Sequence, residues 1–450
     1  MKKIILADIR FFASLVVMHV VFFAIALHYH KIYNGDSAEY IYMATNIKNH
    51  GWFYAGNPVM PVQAEYLTLR PPLYSLFLAA VYCFTVNNWV VLVLQNLISI
   101  ANICCLRDTI RKFGYSRKYD WILMAFVLLY PSQFVNANII APDILLQTFV
   151  LLYFRFFVLL MKSAHWKNGV WMSLSLIAAM MVKPVAYPLA FIHCLLMLGI
   201  WRYFRTQSLK PFFIALTPIV AVILYGSWNY ERTGKLHFSS TQSFNAIFFY
   251  YTYLSGTEGR EAAEPFLQKE RAHLDSIKNF SERYSYANSR GAELVKSHFF
   301  PYIKYHLIHS ASMLVTPGKG ELDMFIGRLT LSKLYSIHQP ESFITVIRSG
   351  NKEKLRKYLH DNPTLPLMMI VLFFNILKLV GFILFLLSKR KPMYLRLFII
   401  CIVGYFCLVA GPIANSRYFI PVSLIVAGTA AIAFQDLLLR QKVRGNATFA

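Results

Sequence analysis

Apolar runs of membrane length recur along this 450-residue chain, near residues 9–28, 88–106, 121–140, 144–162, 168–183, 185–203, 211–229, 365–388, 393–411 and 417–436. A hydrocarbon core about 30 Å thick takes about 20 residues of helix, so these runs read as transmembrane spans. One more run, "PPLYSLFLAAVYCFTV" (Pro71–Val86), is shorter. The long polar stretches fall at 29–87 and 230–363. The pattern predicts an all-α polytopic membrane protein with about ten spans. It divides into an N-terminal membrane module (1–229), an extracytoplasmic, mostly helical region (230–363) and a C-terminal membrane module (364–450). Within the polar region, "AELVKSHFFPYIKYHLIHSASMLV" is amphipathic and aromatic-rich, which suits a helix resting on the membrane surface. No tandem repeat or low-complexity segment interrupts the pattern.

Charge orients the spans. Basic residues gather at Arg107–Lys118, "KSAHWK", "RYFRTQSLK", "SKRKP" and "RQKVR", between apolar runs. Cytoplasmic loops carry such an excess. Were Pro71–Val86 a span, Arg107–Lys118 would face outward, so this run is expected to lie as a helix at the outer interface. Both termini are then cytoplasmic, and the outer face receives 29–87, 230–363 and the turns "NANIIAPD" and "GPIANSRY". The start "MKKIILADIRFFASLVVMHVVFFAIAL" mimics a signal peptide at "AIA", but its apolar part, Phe11–Leu27, is long for one and is expected to be a retained span. A multi-pass protein of a bacterial plasma (inner) membrane is expected.

Composition closes other classes. At 57% hydrophobic residues the chain has more apolar surface than a soluble protein of this length can bury. The net charge of +24 sits in loop patches rather than one stripe, which points to lipid phosphate and not to nucleic acid. The six cysteines lie in or beside apolar segments without zinc or C-x-x-C spacing, and read as packing residues.

The threading sorts the conspicuous polar groups to one side. Asp36, Glu39, Tyr40, Glu65 and Arg70 belong to the first outer loop; Asp143, Lys183, Arg232, Arg417 and Tyr418 stand at outer ends of spans or just beyond. Each has a plainer explanation. In "GDSAEYIYMATNI" Asp36 is placed to cap a helix with Glu39 three residues on. Arg70 and Arg417 could be interfacial snorkels, and Asp143 a helix-start carboxylate. Lys378 and Arg155 lie within spans, where charge is a functional candidate by default; Arg155 is close enough to the inner end to snorkel. No HExxH spacing and no phosphate-cradling glycine loop occurs.

An acid after the first span, then "RPPLYSLFLA" 34 residues later, resembles the GT-C superfamily of polyprenyl-phosphate-sugar-dependent glycosyltransferases. The likeness is to the branch of protein O-mannosyltransferases and lipid A aminoarabinose transferases. "APDILLQTFVLL", "VKPVAYPLAF", "YGSWNYERTGKLHFSSTQSFNAIF" and "SRYFIPV" follow in register, so the resemblance covers most of the chain. It implies a GT-C-like bundle with outer interfacial helices. It also implies transfer of a sugar from a polyprenyl-phosphate donor lipid to a lipid, glycan or protein acceptor on the outer side. Asp36 takes the catalytic position. Many relatives have a second acid after it, where this chain has Ser37, and "WNYER" replaces their Trp-x-x-Arg-Asn order. The chemistry requires no cofactor, and a divalent metal is left unassigned. A polyprenyl phosphate is a stable leaving group, so one carboxylate acting as general base suffices, with inversion. Arg417, Lys183 and Arg70 are expected to bind the donor phosphate; Glu39, Tyr40, Glu65, Asp143, Arg232 and Tyr418 are expected to line the substrates. The alternatives are a glycan polymerase or ligase, or a flippase or transporter for a polyprenyl-linked saccharide.

Overall fold

The computed structural model describes residues 2–205, 208–329, 346–347 and 349–447. They form helices joined by turns, and among them no strand occurs. Among the described residues eight helices are long and apolar enough to cross a membrane: Asp8–Tyr29, Asn88–Arg111, Asp143–Ser163, Pro184–Phe204, Lys210–Thr233, Leu365–Leu387, Met393–Ile413 and Ser416–Gln441. The all-α polytopic class expected from the apolar pattern is thus present, with eight long helices rather than ten.

The two remaining runs differ for local reasons. Run 168–183 is a helix of 17 residues, Trp166–Val182. It stops there because Pro184 holds Lys183 in extended backbone (φ −149°, ψ 131°). Run 121–140 is two short helices, Asp120–Leu128 and Pro131–Ala137. Pro131 lacks an N–H and drives Tyr130 out of helical geometry (φ −126°, ψ 79°). A break at membrane depth needs polar partners. Gln133 donates to Ser99 Oγ and Gln147 Oε1, each at 2.9 Å, and Gln147 donates to the Ile420 carbonyl at 2.7 Å. Asn96 and Asn138 exchange amide bonds at 2.8 and 3.3 Å. Buried Lys378 places its ammonium 4.1 Å from the centre of the Tyr130 ring at the break.

The last span is the axis of the bundle. It packs on Leu365–Leu387, Asp143–Ser163, Asp120–Leu128 and Asn88–Arg111. A Cβ added at Gly381 would come within 2.9 Å of the Ala430 Cβ, so the missing side chain lets these two helices approach. The apolar run after Arg70 forms Pro72–Tyr82, too short to span, packed on Ser37–His50. Residues 230–363, of which 330–345 and 348 lie outside the described set, add Thr241–Thr257, Arg260–Ser276, Phe280–Ser297 and Phe299–Ser312. These helices have their own core around Ile247, Tyr250, Leu274, Ala287 and Leu294. All six cysteines are free.

Candidate active site

Asp36 stands at the start of Ser37–His50 but does not cap it: its side chain makes no bond to the helix N–H groups. Both carboxylate oxygens go elsewhere. Oδ1 accepts from Arg70 Nη2 at 2.8 Å, and Oδ2 accepts from Arg417 Nη2 at 2.7 Å. Glu39 does not complete a capping box either; it accepts from Arg70 Nε at 2.7 Å. Arg417 Nε donates to Asp143 Oδ2 at 2.7 Å, and Lys183 Nζ donates to Asp143 Oδ1 at 2.8 Å. Three carboxylates and three cations, from five separate segments, close into one chain: Glu39–Arg70–Asp36–Arg417–Asp143–Lys183.

Local sequence explains how each group arrives. Ser37 is buried and donates to the Ile140 carbonyl at 2.7 Å, while Ile140 N–H donates to the Ile32 carbonyl at 2.8 Å. Those two bonds tie the Asp36 turn to the turn before Asp143. A carboxylate at position 37 would face a carbonyl, so the serine is a structural tie at this point. Pro71 and Pro72 end the preceding segment and start a helix, Pro72 being its first residue, which fixes Arg70 at the junction. Lys183 sits at the proline-forced end described above. Arg417 lies in a single 3₁₀ turn, Ser416–Phe419, capped by the Asn415 side chain.

Burial makes this network consequential. The Asp143 side chain is 1% exposed, Lys183 9% and Arg417 14%, whereas Asp36 keeps 28%. Burial alone would raise the Asp36 carboxyl, but the Arg417 and Arg70 guanidiniums and the Lys183 ammonium outweigh it and hold it well below the usual carboxylate range. For Glu39 burial wins over Arg70, and its carboxyl is raised. Tyr40 is fully buried, and its hydroxyl has no hydrogen-bond partner among the described residues. Its ring lies 5.2 Å from the Arg70 guanidinium, and burial pushes the phenol up. The Lys183 ammonium lies 5.0 Å from the centre of the Tyr418 ring.

Two expected residues stand outside this chain of charges. Arg232 Nη1 donates to the Leu67 carbonyl at 2.7 Å, with its guanidinium 3.6 Å from the Trp228 ring centre. Ser239 and Ser240 bond the carbonyls of Leu69 and Glu65, each at 2.8 Å, so the "WNYERTGKLHFSS" segment clamps the strip that carries Arg70. Glu65 itself pairs with Arg283 of the 230–363 region.

One carboxyl escaped the sequence reading. Glu321, on Lys319–Phe325, is 9% exposed and accepts from the backbone N–H of Arg417. Burial, only partly offset by Ser416 and that N–H, pushes its carboxyl up to about 7. Its sequence context, "GKGELDMF", carries no signal that would separate it from a solvated loop acid.

Among the described residues no three His, Cys, Asp or Glu side chains are placed so as to hold a metal ion together, and the Asp36 and Asp143 oxygens are held by cations. Solved structures similar to this chain include two polyprenyl-type lipid complexes. One is the archaeal oligosaccharyltransferase AglB from Archaeoglobus fulgidus, in complex with an inhibitory peptide and a dolichol-phosphate: 11% identity, TM-score 0.46, 96% of this chain and 52% of AglB covered. The other is ArnT from Cupriavidus metallidurans bound to undecaprenyl phosphate: 12% identity, TM-score 0.41, 95% of this chain and 77% of ArnT covered. The chain therefore spans about half the length of AglB. No family profile and no curated protein matches it.

Proposed function

We propose that the protein is an integral-membrane glycosyltransferase that moves a sugar from a polyprenyl-phosphate carrier to an acceptor hydroxyl on the extracytoplasmic face, with Asp36 as general base. The observation that carries this reading is the buried, charge-balanced network at one end of the bundle. Three cations held by three carboxylates are a poor arrangement for stability alone, since desolvating each ion costs several kcal/mol. They are a good arrangement for an exchange of anions.

The donor is a phosphodiester with one negative charge. On entry it competes with the carboxylates for Arg70, Arg417 and Lys183, whose charge-assisted bonds suit phosphate. As a guanidinium moves from Asp36 to phosphate, the carboxylate loses the partner that depressed its basicity. A freed Asp36 oxygen takes the acceptor hydroxyl's proton while that oxygen bonds the anomeric carbon. The bond from the anomeric carbon to the phosphate oxygen breaks on the opposite side, and the electron pair leaves on the polyprenyl phosphate. One displacement inverts the centre. The cations stabilise the charge growing on the leaving phosphate. The hydroxyl of Tyr40, buried beside Arg70 without a partner among the described residues, is available to donate to an incoming oxygen.

The test is transfer from a synthetic polyprenyl-phosphate hexose in proteoliposomes, set against a diphosphate-linked oligosaccharide and against flipping without transfer. Turnover of the monophosphate donor, with an inverted linkage by NMR, supports the reading. Use of only the diphosphate donor moves the protein to the polymerase or ligase class; flipping alone moves it to transport. Sidedness is checked by a single cysteine at position 112 in a cysteine-free chain, which a membrane-impermeant reagent should not reach from outside.

A further inference from the structure

Arg417 is the hub of the network, bonded at once to Asp36 and Asp143. Its backbone is held by a carboxyl that plays no part in the transfer outlined above. Glu321 reaches the site from the hydrophilic region, 96 residues earlier in the chain, and accepts from the Arg417 N–H. Its other oxygen receives a long contact from Asn136 Nδ2, 3.5 Å. Gly318, one turn before, has positive φ (+75°), and a Cβ there would overlap the hydroxyls of Ser132 and Ser416. That glycine lets the Lys319–Phe325 segment press onto the broken helix and the Arg417 turn together.

Glu321 is an odd choice for a mere fastener. It is buried, and no cation among the described residues comes within ion-pair distance of its carboxyl. Around it stand Tyr130 at the helix break, Ser132 and Asn136 just beyond it, and Ser416 and Arg417 of the turn; Lys319 and Asp323 lie two residues to either side of it on its own helix. Lys319 is engaged with Asp323 and with Asn362 (3.0 Å), not with Glu321. A glutamine would supply the same acceptor at far less desolvation cost. The carboxyl adds a charge that can be present or absent beside the hub.

We propose that Glu321 is a positioning residue of the transfer site, through which the extracytoplasmic helical region sets how firmly Arg417 stays with its carboxylates and hence how readily it passes to an anionic donor. With Glu321 ionised the site holds four carboxylates against three cations, and a monoanionic phosphodiester enters against net negative charge. With Glu321 protonated the count is balanced, and Arg417 is released at lower cost. Donor binding is thus coupled to proton uptake, in the range near pH 7 where burial places this carboxyl. The donor half of this inference rests on the function proposed above; the coupling to Arg417 does not.

The experiment uses full-length protein in nanodiscs, as wild type, Glu321→Gln, Glu321→Ala, Arg417→Ala and the Glu321→Gln/Arg417→Ala double variant. Binding of a polyprenyl-phosphate hexose is measured from pH 6 to 8.5. Wild-type affinity should weaken above about pH 7, approaching about tenfold per unit for one linked proton. Glu321→Gln should bind with a flat profile, and Glu321→Ala should raise KM for donor while kcat falls less. Without donor, wild type should lose thermal stability as pH rises from about 4.5 toward 7, because the unfolded carboxyl ionises before the buried one. Glu321→Gln should lack that loss, and its effect should be non-additive with Arg417→Ala. A wild-type pH profile in Glu321→Gln, or strict additivity in the cycle, overturns the proposal. Coupling in the cycle without any donor binding by wild type upholds the positioning role and overturns the donor assignment.

Discussion

The bundle carries a charged cluster at each end, and the two are built on different terms. At the end expected to face the cytoplasm, Asp8, Asp108 and Asp120 meet Arg107, Arg111, Arg117, Arg155 and Lys112. Cations are in excess, and several partners are open to solvent: Asp108 is 52% exposed, Arg117 47% and Asp8 35%. At the candidate site three carboxylates match three cations, and Asp143 is 1% exposed. Exposed pairs contribute about 0–1 kcal/mol each and suit a surface that meets anionic lipid. Buried pairs cost desolvation, and removing one partner leaves the other charge stranded. The arginine-rich end holds one comparably buried pair, Arg107–Asp120 at 10% and 9% exposed, amid these open partners; the balanced end is where the proposed transfer is placed.

The largest test of that contrast is Asp36→Asn. Arg417 keeps Asp143 and Arg70 keeps Glu39, so the fold should persist and donor should still bind. Transfer in proteoliposomes should fall about 10²–10⁴-fold. Near-normal transfer would make the balanced end as inert as the other. Next is Asp143→Asn, which strands Lys183 in a buried place. Thermal denaturation should show a loss of about 3–5 kcal/mol, much of it regained by adding Lys183→Met. No such rescue would mean that Lys183 does not depend on Asp143.

The acid limb of stability sharpens the comparison further. Asp36 is depressed below its ordinary 3.8, so the stability it contributes is full above that pH and is lost as pH falls through the lower folded value. The difference in melting temperature between wild type and Asp36→Asn should be constant from neutral pH to about 4 and shrink only in stronger acid. A difference that closes at pH 5–6 would contradict the guanidinium clamp. The smallest effect belongs to the other end. Asp8→Asn should change stability by less than about 1 kcal/mol and leave transfer unaltered, and its effect should fade with salt. A loss of transfer from Asp8→Asn would erase the distinction between the two ends.

The sequence by itself determined a good deal. Apolar period and length fixed the all-helical polytopic class and the places of eight long spans. The shortness of the run behind Arg70 marked a helix below membrane length. Residue types and order nominated Asp36, Glu39, Arg70, Asp143, Lys183 and Arg417, because an unsolvated acid or base at a span end is costly wherever it stands. The pairing was beyond it. Arg417 meets Asp36 and Asp143 across 381 and 274 residues, and nothing local encodes such a contact. Tertiary structure alone decided that Asp36 is clamped rather than capping, since cap and clamp begin from the same "GDSAE". It decided that Arg232 and Glu65 brace the loop and the 230–363 region instead of joining the charges. It broke run 121–140 at Tyr130, where hydropathy reads continuous membrane but Pro131 denies the helix an N–H. And it brought in Glu321, whose significance lies in burial beside Arg417, a property that only packing confers.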